Sequence, residues 1–415
     1  MSKIKVGVFG AGRGVDLAHN FIALGCEIVA LCDFDENRLK EGVENLGIEV
    51  ATYKDFNEFI NHKMDAMIIA NYFHEHAPYT IECFKRNIHV FCECISNGTM
   101  GEGIELFDAF KNTKSIYMLA ENYPQMLFNR EIKRIADTGT LGKIMYAEGE
   151  YNHPSDPYDT SFLHRYNYFP EHWRNYLPTT YYITHSLGPI MWACKATPKK
   201  VTAFSIYAPF EGEVPSAKQT GDVTSIITMF NDDGSIYRVT ACADFGGHHN
   251  AYRVCGREGQ IENLRGMNDQ VMLHYNDWSK PIDKEEYNLY KPNWNDKDED
   301  LIVKSGHGGA DYLTCRTFLD CIKENKQPEF PFDLHSAINM SSVAILAHRS
   351  ALEGGKVFDI PDFSKEEDRK LYENDYLTPF PKTDGSKPTL PCCSNPSFTR
   401  NEKNLELYKK LLNIK

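Results

Sequence analysis

A short apolar strand that runs straight into a glycine turn constrains this chain more than any other feature. Ile4-Lys5-Val6-Gly7-Val8-Phe9 reads as a strand, Gly10-Ala11-Gly12-Arg13-Gly14 follows at once, and Val15 to Leu24 suits a helix. Small residues at such a junction let backbone N–H groups approach a pyrophosphate, and the helix N-terminus favours its negative charge. The usual spacing puts a third small residue at position 15, where the chain has Val15, so Gly14 is expected to serve through a shifted turn. A second strand, Glu27 to Cys32, ends at Asp33, about 20 residues beyond the glycines, where a carboxylate hydrogen-bonds the adenosine ribose hydroxyls. That carboxylate repels the extra phosphate of NADP, so NAD is the expected cofactor. The alternative is a Rossmann domain that holds another nucleotide or none.

The alternation continues. Ala66–Ala70, His89–Glu93 and Ile116–Ala120 read as buried strands, and Glu36–Asn45, Ala77–Arg86 and Gly101–Lys111 as helices. Strands joined by single helices predict a parallel sheet with right-handed crossovers. After Glu121 the pattern changes. One helix, about Met126 to Asp137, precedes strand-like runs at Lys143–Tyr151, Lys200–Tyr207, Val223–Phe230, Ser235–Ala243, Ala251–Cys255 and Gln270–Tyr275. Turn signals such as Asn231-Asp232-Asp233-Gly234 between them predict an antiparallel sheet. Helices are expected at Ala310–Asn325, Leu334–Glu353 and Leu405–Leu412. The expected architecture is an α/β Rossmann domain (1–122), an α+β substrate and oligomerisation domain with a mostly antiparallel open sheet (123–360), and a C-terminal extension (361–415).

Composition narrows the partners. The formal net charge of -13 disfavours nucleic acid and anionic membranes. No signal peptide is expected ahead of the first strand, and no segment reaches the roughly 18 apolar residues of a membrane span. The 12 cysteines are scattered; Cys92 and Cys94, and the adjacent Cys392 and Cys393, do not match zinc spacing. Reduced thiols in a cytoplasm are expected, with no metal. His248 and His249 do not change this, because neighbours on an extended chain point to opposite sides.

Several short motifs together resemble the glucose–fructose oxidoreductase / inositol dehydrogenase / MocA (Gfo/Idh/MocA) family over roughly residues 3 to 360. They are Ile68-Ile69-Ala70-Asn71 with His74 and His76, Asn87 to Glu93, Ala120-Glu121-Asn122-Tyr123, and Thr138 to Ile144. The resemblance implies a cofactor site drawn from Gly10, Gly12, Arg13, Gly14, Asp33, Asn71, His76, Glu93 and Asn122. It also implies a homo-oligomer, dimer or tetramer. One departure matters: where the family has Glu-Lys-Pro, this chain has Glu93-Cys94-Ile95. The lysine usually helps to move the substrate hydroxyl proton, and a thiol is neutral near pH 7 unless activated.

A subgroup that also lacks the lysine is the NAD-dependent glycosidases, of which the α-N-acetylgalactosaminidase type is best known. Gly149-Glu150-Tyr151-Asn152-His153, Trp173-Arg174 and Tyr182-Ile183-Thr184-His185-Ser186-Leu187-Gly188-Pro189 resemble its motifs. Carried over, the acid–base residues fall on Tyr151 and His185. Strand alternation puts Tyr151 on the face shared with Ala147 and Gly149, where a ligand has room. Histidine titrates near the working pH, which suits proton transfer. Cys94, His153, Trp173, Arg174 and His307, the last in the turn Gly306-His307-Gly308-Gly309, are expected to meet the substrate. The aromatic stretch with Tyr166, Tyr168, Phe169, His172, Trp173 and Tyr176 is expected to stack on a sugar ring or pack as a lid. The expected activity is an NAD-dependent oxidoreductase on a sugar or glycoside hydroxyl, extending to glycosidic cleavage by oxidation at carbon 3, elimination, hydration and re-reduction. The alternatives are a conventional sugar or cyclitol dehydrogenase and a non-catalytic sugar or nucleotide sensor.

Overall fold

The computed structural model describes residues 3–161, 163 and 169–414. Tyr166 and Tyr168 lie outside the described residues. The first layer is a six-stranded parallel sheet in the order β3-β2-β1-β4-β5-β6. Its strands are β1 (Lys5–Phe9), β2 (Glu27–Cys32), β3 (Ala51–Tyr53), β4 (Ala66–Ile69), β5 (His89–Cys92) and β6 (Tyr117–Leu119). The helices between them are α1 (Arg13–Ala23), α2 (Glu36–Leu46), the single turn α3 (Phe56–Phe59), α4 (His76–Lys85) and α5 (Met100–Phe110). Val6, Val8, Ile68, Ile69 and Val90 have no solvent exposure, as strands covered on both faces require. Strand order reverses between β1 and β4, so the glycine turn after β1 opens at the topological switch point where such sheets bind ligands.

The second layer is a nine-stranded sheet, β14-β13-β12-β11-β7-β10-β9-β8-β15. It comprises β7 (Ile144–Asn152), β8 (Pro198–Tyr207), β9 (Asp222–Asn231), β10 (Ile236–Ala243), β11 (His249–Gly256), β12 (Gly259–Leu264), β13 (Met267–Tyr275), β14 (Tyr287–Tyr290) and β15 (Phe358–Asp359). Neighbours run antiparallel except β7 and β10, which pair in parallel. The expected fold class, a parallel Rossmann sheet with a second, mostly antiparallel sheet, therefore holds, with β3, β12, β14 and β15 added to the strands legible in the sequence.

Helices α6 (Leu127–Asp137), α7 (Thr184–Cys194), α8 (Glu299–Lys304), α9 (Ala310–Glu324) and α10 (Leu334–Leu352) follow the Rossmann layer, with α11 (Glu366–Tyr372) and α12 (Glu402–Leu411) in the C-terminal segment. Helix α7 was expected only as a helix start or turn. It is buried almost all round, from Thr184 to Ala193, so it carries no amphipathic stripe to read. Two details seat it. A Cβ on Gly149 of β7 would lie 2.0 Å from the Ser186 carbonyl oxygen, so only glycine lets helix and strand approach this closely. Pro189 has no N–H to give the His185 carbonyl, and that freed oxygen accepts the Tyr252 hydroxyl at 2.5 Å. The C-terminal segment ties the two layers together. Asp375 takes a bidentate bond from Arg349, Thr383 bonds Glu75, and Ser394 bonds Asp222. Among the described residues no helix is long and apolar enough to cross a membrane.

Candidate active site

The glycine turn divides three jobs among three glycines. Gly10 has a φ of 103°, and a Cβ there would lie 2.2 Å from the Ala70 carbonyl oxygen. Gly12 caps α1 and faces open space, since a Cβ on it meets nothing within 4 Å. Gly14 packs α1 onto β1, where a Cβ would lie 2.8 Å from Val8 Cγ1. The expected shifted turn is thus present, with Gly14 doing the helix-packing job normally given to the next position.

These residues fit a dinucleotide. Gly12 leaves space at a helix N-terminus, and both amide atoms of Asn71, at the end of β4, are buried without a partner. Asp33 accepts the Ala11 N–H at 2.8 Å and the Asp35 N–H at 2.9 Å, which leaves carboxylate lone pairs for ribose hydroxyls. Burial holds the Asp33 carboxyl above its usual range, partly offset by those two N–H groups. His76 is 1% exposed; its Nδ1 lies 2.7 Å from the Ile95 carbonyl oxygen, and its Nε2 is buried without a partner.

Arg13 reaches across the cleft. Its Nε donates to Glu93 at 2.9 Å and its terminal nitrogens make a bidentate pair with Asp311 at 2.6 and 2.9 Å. Asn122 donates to the same aspartate at 2.6 Å, and His307 Nδ1 lies 3.0 Å from it. Burial of Asp311 opposes its charge, but His307 and Arg13 outweigh this and hold the carboxyl far below its usual range. Three of the residues expected at the site, Arg13, Asn122 and His307, therefore meet on an aspartate that sequence reasoning did not single out.

A second carboxylate organises the other half. Glu121 is fully buried at the start of the crossover to α6. It accepts His185 Nδ1 at 2.8 Å, the Tyr123 N–H at 3.1 Å and the Cys94 thiol at 3.2 Å. Burial pushes the Glu121 carboxyl up; His185, Thr184 and Cys94 more than compensate, so it sits below its usual value. Burial and the two neighbouring glutamates hold the Cys94 thiol well above its ordinary value. Cys94 is thus a neutral hydrogen-bond donor.

Around His185 lies a shell of phenols. Tyr123 stacks on its ring at 4.0 Å between centroids, and Tyr151 and Tyr182 stand edge-on at 5.1 and 5.2 Å. Burial, with Tyr123, Cys242 and Glu121 nearby, raises the Tyr151 phenol well above its usual range. His153 stacks on Tyr151 at 5.6 Å and meets His248 at 4.7 Å, while His249 turns to Glu150 on the other face of the sheet. The two adjacent histidines do point apart, and the described residues hold no cluster able to ligate a metal. Trp173 is 7% exposed, stacks on Phe73 at 5.1 Å and lies under Arg174, so it packs at the seam between the layers, as the lid alternative expects.

A Rossmann layer with a fitted dinucleotide cleft, facing a histidine–carboxylate centre on an antiparallel sheet, defines an NAD-binding oxidoreductase. Comparison with known proteins agrees. Residues 4–121 match the oxidoreductase family with an NAD-binding Rossmann fold (Gfo/Idh/MocA), and residues 217–369 match the glycosyl hydrolase 109 C-terminal domain. The chain thus carries the NAD-binding Rossmann domain of the Gfo/Idh/MocA oxidoreductases together with the C-terminal domain of glycosyl hydrolase 109. It is 22% identical over 406 residues to glycosyl hydrolase family 109 protein 2 of Shewanella sp. (strain MR-4), covering 88% of this chain and 86% of that protein. It is 21% identical to an alpha-N-acetylgalactosaminidase of Shewanella oneidensis, again with 88% and 86% covered. Among solved structures, levoglucosan dehydrogenase in complex with NADH and levoglucosan superposes with a TM-score of 0.71 at 18% identity, over 87% of this chain and all of that one.

Proposed function

We propose that this enzyme cleaves a glycosidic bond with NAD as an internal, recycled cofactor. The observation that carries the reading is the buried Glu121–His185 pair beside Tyr151, with the neutral Cys94 thiol where the family's lysine is expected. Bound NAD supplies reversible hydride acceptance, which turns a ring hydroxyl carbon into a ketone for part of the cycle. His185 Nε2 takes the proton of the carbon 3 hydroxyl while Nδ1 stays on Glu121, which fixes the tautomer and stabilises the imidazolium. A ketone at carbon 3 makes the carbon 2 hydrogen acidic. Tyr151 removes it as the phenolate, having given its own proton to solvent; the new imidazolium, whose ring centroid lies 5.1 Å from that of Tyr151, favours this form against burial, and Tyr151 regains a proton from solvent once His185 is neutral again. The carbon 1–oxygen bond then breaks by elimination, water adds across the double bond, and the ketone returns to a hydroxyl.

Gly10, Gly12, Asp33 and Asn71 would hold the cofactor, with Glu93 and Arg13 at its inner end. His153 and Arg174 border the sugar. The substrate class follows from the alpha-N-acetylgalactosaminidase relative, so a 4-nitrophenyl α-N-acetylgalactosaminide is the first probe. Release of 4-nitrophenol without net NADH supports the reading; one NADH per sugar points to a conventional dehydrogenase. We assign the domains as 1–122, 123–360 and 361–415, and place the enzyme in the cytoplasm. The outward face of the second sheet exposes Phe204, Ile206, Phe230 and Ile236, which supports a homo-oligomer built on that face. Light scattering on the purified chain tests it.

A further inference from the structure

His307 stands in a place the mechanism above leaves unused. Its side chain is 39% exposed above an aspartate that is 3% exposed, and its ring centroid lies 5.9 Å from that of Tyr123, which stacks on His185. The backbone there is unusual. His307 has a φ of 53°, followed by Gly308 at 63° and Gly309 at 92°. A left-handed conformation suits glycine or asparagine, and a histidine held in it points to a use for the side chain. Arg13 donates to both Glu93 and Asp311, and His307 Nδ1 lies 3.0 Å from the same aspartate, so the histidine is held by a carboxylate that is itself anchored to the cofactor loop. With Nδ1 committed to Asp311, Nε2 is the nitrogen free to act.

We propose that the His307–Asp311 pair is a second acid–base group, which protonates the departing glycosidic oxygen. The inference rests on the glycosidase reading. As Tyr151 takes the carbon 2 proton, the electrons of that C–H bond form the carbon 1–carbon 2 double bond. The carbon 1–oxygen bond breaks, and the oxygen leaves as a neutral alcohol with the Nε2 proton of His307. When water adds, its oxygen bonds carbon 1, one of its protons returns to His307 Nε2, and Tyr151 gives its proton back to carbon 2. Every proton is restored. Asp311 acts as a positioning residue: it orients His307, and through Arg13 it ties this turn to the cofactor loop.

The test uses His307→Asn, because asparagine accepts the left-handed backbone. Full-length, NAD-loaded protein is assayed on 2,4-dinitrophenyl, 4-nitrophenyl and phenyl α-N-acetylgalactosaminides, and NAD affinity is measured in parallel. A leaving group that needs a proton suffers most, so the loss is expected to be at least roughly tenfold greater for the phenyl than for the dinitrophenyl glycoside. Asp311→Asn shows the same trend, and NAD affinity holds in His307→Asn. An equal loss across the three leaving groups, or weakened NAD binding with an unchanged leaving-group trend, overturns the proposal. A wild-type enzyme that releases no aglycone from these or other aryl hexopyranosides overturns the glycosidase reading itself, and the proposal falls with it.

Discussion

Two carboxylate–histidine pairs border Tyr123, and they differ in how much water they see. The Glu121–His185 pair is closed, with side-chain exposures of 1% and 12%; the Asp311–His307 pair is open on the histidine side, at 3% and 39%. The same chemical unit is set to two tasks by its surroundings. The closed pair is packed among phenols and fits a proton that must stay with the sugar. The open pair lies beside the cofactor loop and fits a group that must reach solvent.

The largest effect should come from breaking the closed pair. His185→Ala is expected to lower kcat by about a thousandfold, the range of a lost general base, while NAD affinity, read by fluorescence titration, is kept. Unchanged turnover would remove His185 from the chemistry. Glu121→Gln keeps the shape and removes the charge, and should cost about a hundredfold in kcat with little change in NAD affinity.

Asp311→Asn probes the open pair through stability. It leaves Arg13 with half its buried partners and should cost about 3 kcal/mol, measured by denaturant unfolding at neutral pH. The sign of the pH dependence follows from a folded-state pKa that is depressed. Such a group contributes stability that is present above the unfolded carboxylate range and is lost as pH falls through that range toward the folded value. Wild-type stability should therefore drop on acidification below about pH 4, and the Asn variant should show a shallower drop there. The smallest effect is expected for Cys94→Ala, which removes one neutral donor from Glu121 and should lower kcat only a few-fold. A large loss in that variant would mean the thiol does more than support Glu121.

The contrast between the pairs was half legible in the sequence. Each histidine stood in a readable motif: His185 before Ser186-Leu187-Gly188-Pro189, and His307 among glycines. Their carboxylates were missed although Glu121 lies inside the motif Ala120 to Tyr123 and Asp311 only two residues beyond the turn Gly306 to Gly309. Burial turns an ordinary glutamate or aspartate into an organising centre, and burial arises from contacts between segments far apart in the chain. Arg13 and Asp311, which pair bidentately, are 298 positions apart. A useful signal was present: a lone acidic residue beside Asn122, or in the first helical turn after a glycine run, in a stretch otherwise poor in charge. Burial is equally invisible for His76, whose Nδ1 meets the Ile95 carbonyl, and for Trp173, which stacks on Phe73; residue type alone does not tell how deeply either lies. The parallel edge between β7 and β10 was also invisible, because side-chain alternation is the same in parallel and antiparallel pairs.

The central claim is that hydride leaves the sugar and returns within one turnover while Tyr151 exchanges the carbon 2 proton. Running the aryl glycoside reaction in D2O and examining the released sugar by NMR tests it most directly. The account predicts deuterium at carbon 2, none at carbon 3, and no accumulation of NADH. A sugar released without deuterium at carbon 2, or formed with one NADH per molecule, would contradict it.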